Sequence, residues 1–445
     1  MQQSTTRRRP FTLSHLRWIV LGADSLLLAL SYGDRAALGL AAPYVLKEFH
    51  FNAALWGLIV AAFSFGYAPF CFVGGYFSDR FGPRNIMATA VAWWSAFTAA
   101  TAAGFSFVSF LVIRLLFGFG EGPQGSVTAK LVGSWFPQRE VGLAVGISNG
   151  AMPLGGAIAT PLITWLIVAH GGDWRLAFLV LGALGVAFTL LWYVVARDSP
   201  ETHPWMSARE LQAINSGALA RRPALLTDQT APPVAFYLRQ PIVWCTAIAF
   251  FGFSWVLFTF IGWFPLYMVQ AQHIDLKSIA VSAMIPWIVG TAGVLVGGIV
   301  GDALAKRTGK PAAVRKWMIV VCLLGVGIAF APSAMVRSAN GAVALMSICL
   351  FLMYLTNAQY WALLADVIPT SRLGGVGGFV HFVANIAGFI APAATGAFVN
   401  ATHDWTMGFV VGGAVVVASA LSMACFGKLD IPRHEAPVLE TALAG

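Results

Sequence analysis

Six ionisable side chains stand where the neighbouring sequence is almost wholly apolar: Asp24, Asp34 and Arg35 in ADSLLLALSYGDRAAL, Arg114 and Glu121 in RLLFGFGEGP, and His381 in a late apolar run. A charged group at bilayer depth costs at least ~2.5–3.5 kcal/mol on insertion scales, so each is a functional candidate by default. Arg114 and Glu121 are seven residues apart, which puts them on one helix face two turns apart. At a rise of ~1.5 Å per residue from the outer ends of their runs, Arg114 lies ~10 Å deep, Arg35 ~15 Å and Glu121 ~21 Å. Arg35 therefore falls between the two other charges. Two arginines present planar donor forks suited to a carboxylate, and two acids among them, Asp34 and Glu121, can exchange protons as access alternates between sides. The competing reading is an ion-pair network that pins two helices together. It is the weaker one, because buried pairs rarely stabilise more than apolar packing does. Asp24, ~12 Å from the opposite end by the same rise, is expected to face a water-filled vestibule rather than a substrate. His381 fits either a packed, hydrogen-bonded histidine or a cavity ligand.

These residues need a scaffold that spans a membrane. Of 445 residues, 58% are apolar or aromatic and 10% charged, against about 25% in soluble domains. That excludes an ordinary soluble enzyme. Apolar runs of about 20 residues, each long enough to cross a bilayer, recur from residue 16 to residue 427. The net charge of +9 does not indicate a nucleic-acid partner, since the basic residues are scattered through short loops. Cys71, Cys245, Cys322, Cys349 and Cys425 all lie in apolar runs without metal-type spacing and read as small core residues. With no HExxH, GxSxG or metal-ligand cluster, neither an enzyme nor a cofactor is expected. RRRPF at 7–11 resembles a twin-arginine export signal, but the charges of the next span argue against cleavage.

Apolar runs and polar punctuation predict an all-α fold of twelve spans near 16–45, 54–78, 84–104, 106–131, 139–169, 175–196, 242–271, 277–303, 315–335, 338–366, 371–401 and 405–427. The segment 197–241 is rich in proline and charge, with ARELQAI at 208–214 able to form a surface helix. The chain then divides into an N-terminal tail 1–15, a six-helix half 16–196, the linker 197–241, a second six-helix half 242–427 and a tail 428–445. Lys and Arg crowd the side of the linker and both termini; only Lys47, Arg175, Lys277 and Arg337 lie opposite. The positive-inside rule makes the crowded side cytoplasmic.

GGYFSDRFGPR at 74–84 is echoed by GGIVGDALAKRTGK at 297–310, with Gly75-x3-Asp79 matching Gly298-x3-Asp302. Two copies, each after the second span of its half, suggest parallel repeats with a site between them at midplane. The G-x3-D-R-x-G-x-R loop resembles that of the major facilitator superfamily. That resemblance implies conformational latch roles for Asp79, Arg80, Arg84 and Asp302. YGDRAALGLAAPYVLKEF at 32–49, RLLFGFGEGPQGS at 114–126, VGSWFPQRE at 132–140 and IGWFPLYM at 261–268 are together similar to its anion:cation symporter branch, which includes sugar-acid carriers such as the D-galactonate importer and, more distantly, sialin.

The branch resemblance implies proton-coupled uptake of a small organic carboxylate by alternating access. Asp34 and Glu121 would be the proton-coupling acids, and Arg35, Arg114, Tyr32, Tyr67, Trp361 and His381 would line the substrate site. Met152, Phe250 and His381 stand where hexonate carriers of the branch have amides, which shifts weight towards a less hydroxylated or aromatic carboxylate. Trp255, Trp263, Trp361 and Tyr360 offer stacking faces for such a ligand. The implied partners are the anion, protons and lipid, with no nucleic acid and no second subunit; the implied location is a bacterial inner membrane. An anion exchanger that moves no proton, a phosphate-type exchanger, and a membrane sensor on a transporter scaffold are the alternatives.

Overall fold

The computed structural model describes residues 13–215 and 231–429, so parts of the linker and of both tails, with the RRRPF segment, lie outside the described residues. The first half comprises α1 (Leu16–Phe49), α2 (Ala53–Phe81), α3 (Pro83–Thr101), α4 (Phe107–Glu121), α5 (Gln124–Trp135), α6 (Gln138–Ala169) and α7 (Trp174–Val195). A short helix over residues 208–215, α8, and a single turn, α9 (Val234–Tyr237), follow in the linker. The second half runs α10 (Pro241–Gln270), α11 (Leu276–Thr308), α12 (Pro311–Phe330), α13 (Ala339–Leu355), α14 (Asn357–Val367), α15 (Thr370–Thr402) and α16 (Thr406–Phe426). Among the described residues no strand ladder forms.

Among the described residues, ten helical stretches are long and apolar enough to cross a membrane. The remaining two expected spans are α3, which is less hydropathic, and the pair α4 and α5, which meet at Gly122 and Pro123. Both of those residues keep right-handed helical angles, so the span continues in direction across the break. Short polar side chains start many of the helices: Asn52 accepts from the Leu55 N–H, Ser106 and Ser109 form a reciprocal capping box, and Asp275 and Ser338 cap α11 and α13. Helices within the first half approach closely at glycines. A Cβ on Gly66, Gly118 or Gly122 would strike the backbone of the facing helix, which holds α2 hard against α4.

The two halves meet along a seam on the face opposite the linker. Gly57 of α2 lies against the Pro392 carbonyl and Gly396 of α15, and Gly39 of α1 against the Ile261 carbonyl of α10. The Trp56 indole donates to the Gly262 carbonyl at 3.3 Å. On the same seam, Trp287 of α11 covers Gly156 of α6 and packs edge-on to Tyr32, with ring centres 6.0 Å apart. A small cleft here is lined by Ala36, Leu40, Thr160, Phe260 and Trp287 and does not contain the buried charges.

On the linker face, α8 does not lie free as an amphipathic surface helix. Glu210 is buried and accepts from the backbone N–H groups of Leu16 and Arg17 and from the Arg17 guanidinium, so it satisfies the start of α1 from 193 residues away. Arg17 also bonds Glu140 of α6 at 2.9 Å. His203 completes the clasp, with Nε2 2.9 Å from the Val195 carbonyl and Nδ1 accepting from the Trp205 N–H. Burial pushes its imidazole below the ordinary histidine value. Of the cysteines, Cys245, Cys322 and Cys349 are buried as expected, whereas Cys425 is exposed on α16 and Cys71 is partly exposed.

Candidate substrate site

Asp34 and Arg35 of α1 and Arg114 and Glu121 of α4 come together at the centre of the first half. The Arg35 guanidinium donates through Nε to Glu121 Oε2 at 2.7 Å, and its Nη2 lies 2.6 Å from the same oxygen. Glu121 Oε1 is buried without a partner. Three rings enclose the Arg35 cation: Phe63 at 4.7 Å and Tyr32 and Tyr67 at 5.0 Å each, from guanidinium carbon to ring centre. Such a cage retains charge at depth through the ring quadrupoles.

Arg114 is the unpaired cation of the cluster. It stacks over Phe117 at 4.5 Å and over Phe63 at 5.4 Å, and its Nε is buried with no hydrogen-bond acceptor. Phe63 thus stands against both arginines. Asp34, one residue before Arg35, is 1% exposed, and neither carboxylate oxygen has a hydrogen-bond partner. The Thr98 hydroxyl of α3 is buried facing the Asp34 carboxylate, without closing a well-formed hydrogen bond to it. A site with a free cation, a free acid and one closed ion pair has unsatisfied capacity for both an anion and a proton.

The second half contributes an aromatic wall. His381 of α15 has ring centres of Phe250, Trp361 and Tyr67 at 5.8, 5.9 and 6.4 Å, so it bridges the two halves next to the Arg35 cage. Phe250 lies flat on Tyr360 at 4.5 Å, and Trp361 stands 38% exposed. Asn385, one turn beyond His381, donates to the His381 carbonyl and is an amide not singled out in the sequence. Met152 is half-buried on α6.

Several expectations are corrected by this geometry. Asp24 faces no vestibule: it is fully buried and accepts from the Thr128 hydroxyl of α5 at 2.9 Å. A depth counted along a helix says nothing of which side the residue faces. Trp255 and Trp263 are core residues of the second half, Trp263 packing edge-on to Trp405, and Tyr360 is sealed behind Phe250. Phe63 and Phe117 were missed, since a phenylalanine in an apolar run carries no signal of a cation beside it.

The residues expected to form a latch lie at the linker face. Arg84 binds the Tyr193 carbonyl through Nη2 at 2.6 Å, stacks on the Tyr193 ring at 3.9 Å, and takes Asp198 on its backbone N–H, tying α3 to the end of α7. Arg80 is exposed and lies over Phe81. Asp79 sits in the last turns of α2, two residues before its end. In the repeat, Asp302 is 3.6 Å from Arg315, which holds Asp366 more closely at 2.8 Å. Lys130, which donates to the Ser78 carbonyl, was not anticipated.

Residues 25–392 match the Major Facilitator Superfamily. The chain belongs to that superfamily. The superfamily's members are carriers, and this protein is accordingly a secondary transporter rather than an enzyme. Among curated relatives of this superfamily chain, the hexuronate transporter of Bacillus subtilis (strain 168) is 37% identical over 89% of the chain and 91% of its own length. The probable sulfoacetate transporter SauU of Cupriavidus necator is 31% identical over 96% and 98%. The probable galactarate/D-glucarate transporter GarP of Escherichia coli (strain K12) is 29% identical over 95% and 96%. The fold is shared with the inward-open xylose transporter XylE from E. coli at a TM-score of 0.71 and 16% identity, covering 95% of this chain and 98% of that one. It is shared also with a bacterial homologue of the lysosomal transporter Spinster at 0.69 and 17%, covering 94% and 96%.

Proposed function

We propose that this carrier imports a sugar-acid anion of the hexuronate kind together with protons. The observation that carries the reading is the midplane cluster: one arginine caged and paired with Glu121, a second arginine unpaired, and Asp34 buried with both oxygens free. Identity of 37% to a hexuronate transporter across nearly the whole chain supports the substrate class.

In this reading, protonation of Glu121 on the outer side frees Arg35. Arg35 and Arg114 then hold the substrate carboxylate through charge-assisted bonds of about 1.5–3 kcal/mol each. Tyr32 and Tyr67 meet substrate hydroxyls, while Trp361 and His381 face the apolar side of the sugar. When the cavity opens to the cytoplasm, Asp34 and Glu121 lose their protons, Glu121 reclaims Arg35, and the substrate carboxylate is displaced. Asp79, Arg80, Arg84 and Asp302 bias the conformational equilibrium without touching ligand. The linker face is cytoplasmic, the membrane is the bacterial inner membrane, and one chain is the working unit.

Proteoliposomes test this directly. An inward pH gradient imposed without internal substrate should drive accumulation of labelled D-glucuronate. Uptake that appears only with internal substrate, and ignores the gradient, would identify an exchanger instead.

A further inference from the structure

A polar stripe runs from the Arg35–Glu121 pair towards the linker face. Glu121, Gln124 and Thr128 follow at spacings of three and four, and the helical angles at Gly122 and Pro123 keep them on one side of the α4–α5 span. Glu121 bonds Arg35 of α1 and Thr128 bonds Asp24 of α1, so Gln124 between them faces the same helix. Gln124 is 4% exposed, and its Nε2 is buried without an acceptor. Asp24 is 0% exposed, and its Oδ2 is buried without a donor. Eleven residues of α1, about 16 Å of helix, separate Asp24 from Arg35.

We propose that Asp24 is a second protonation station, which receives the proton leaving the midplane acids and passes it to the cytoplasm. This rests on the symport reading above. The step is a simple transfer: the Glu121 carboxyl gives up its proton through water hydrogen-bonded at Gln124, the proton joins Asp24 Oδ2, and Asp24, buried in this structure, releases it when α1 and α5 part and admit water from the linker face. Glu121 is left as the carboxylate that reclaims Arg35.

Among the described residues, nothing ionised competes for Asp24. From α5 the group that faces it is Thr128, and Lys130 turns away to the Ser78 carbonyl of α2. α6 carries charge only at Arg139 and Glu140, and Glu140 is held by Arg17 two turns below Asp24. α7 has only Arg175, at the far face with Glu48, and α10 has no charged residue. A carboxylate held by one neutral hydroxyl is a poor helix fastener. Asparagine or serine would pin α1 to α5 without the cost of an ionisable group.

The test uses the full carrier in proteoliposomes loaded with a pH-reporting dye, with D-glucuronate as probe. Asp24→Asn should retain probe affinity, measured by calorimetry, within about twofold of wild type, while probe-induced proton entry and gradient-driven uptake fall at least about tenfold. Asp24→Glu should restore most of the proton flux, and Thr128→Val, which keeps the acid, should shift its pH profile while preserving coupling. Proton flux in Asp24→Asn equal to wild type would overturn the assignment, as would equal loss of binding and flux, which marks a structural role. Should Asp24→Asn not fold, a Thr128→Val carrier with an unshifted pH profile overturns it instead. Wild type that binds the probe but moves no proton with it sinks the symport reading itself, a result distinct from a failure at Asp24 alone.

Discussion

In the proposed mechanism, Arg35 and Arg114 divide the work of one anion site between a paired and an unpaired cation. Replacing either with alanine should weaken D-glucuronate binding at least about tenfold, the equivalent of one lost charge-assisted bond, and abolish saturable uptake. Lysine should rescue poorly at both positions, because a point ammonium cannot replace the planar guanidinium that Arg35 places among Tyr32, Phe63 and Tyr67 and Arg114 places over Phe117 and Phe63. Wild-type affinity in both alanine variants would make the arginines structural. Glu121→Gln removes the competitor that holds Arg35 in the empty carrier. It should bind probe at least as tightly as wild type and exchange it, yet fail to concentrate it under a pH gradient; gradient-driven accumulation at the wild-type level would remove Glu121 from the coupling path.

At the scale of elements, the clasp formed by His203, Glu210 and the start of α1 is expected to be sensitive to acid. Neutral His203 accepts the Trp205 N–H on Nδ1, and a proton there would leave two donors facing each other. Its depressed folded-state value means that the stabilisation is present above the ordinary histidine pKa and is lost as pH falls below it. Thermal unfolding of the detergent-purified carrier should therefore shift down between pH 7 and pH 5, and His203→Gln should be less stable at pH 7 but flatter across that range. A wild-type melting temperature unchanged over the interval would contradict this. The clasp was not legible in the sequence, because Glu210 meets Leu16 and Arg17 across most of the first half. The spans themselves were legible: runs predicted at 139–169 and 242–271 are the helices Gln138–Ala169 and Pro241–Gln270, since lipid demands about 20 apolar residues whatever the packing. The clustering of the candidate site was legible through the charges at 34, 35, 114 and 121, which have no cheap alternative at depth. What charge and period could not give was direction: Asp24 turned into the protein, and Trp255 and Trp263 into the core.

For the whole molecule, the seam between halves depends on glycine at its tightest crossing. A Cβ at Gly57 would meet the Pro392 carbonyl and the backbone of Gly396, so Gly57→Val should hold α2 and α15 apart and disfavour the closed far face. Probe binding should survive while gradient-driven uptake falls several-fold; uptake at the wild-type rate would mean that the seam need not close so tightly during transport.

The midplane cluster has one more property, which concerns the membrane voltage. Asp34, Arg35, Arg114 and Glu121, all ionised, sum to zero. With Asp24 protonated, an empty carrier of that composition would carry no net charge through the field when it reorients, so its return would be indifferent to a potential worth about 2.3 kcal/mol per elementary charge per 100 mV. In the proposed symport, a monoanion arriving with two protons would leave the loaded form one charge positive. The potential, negative inside, would then accelerate only the inward, substrate-bearing half of the cycle.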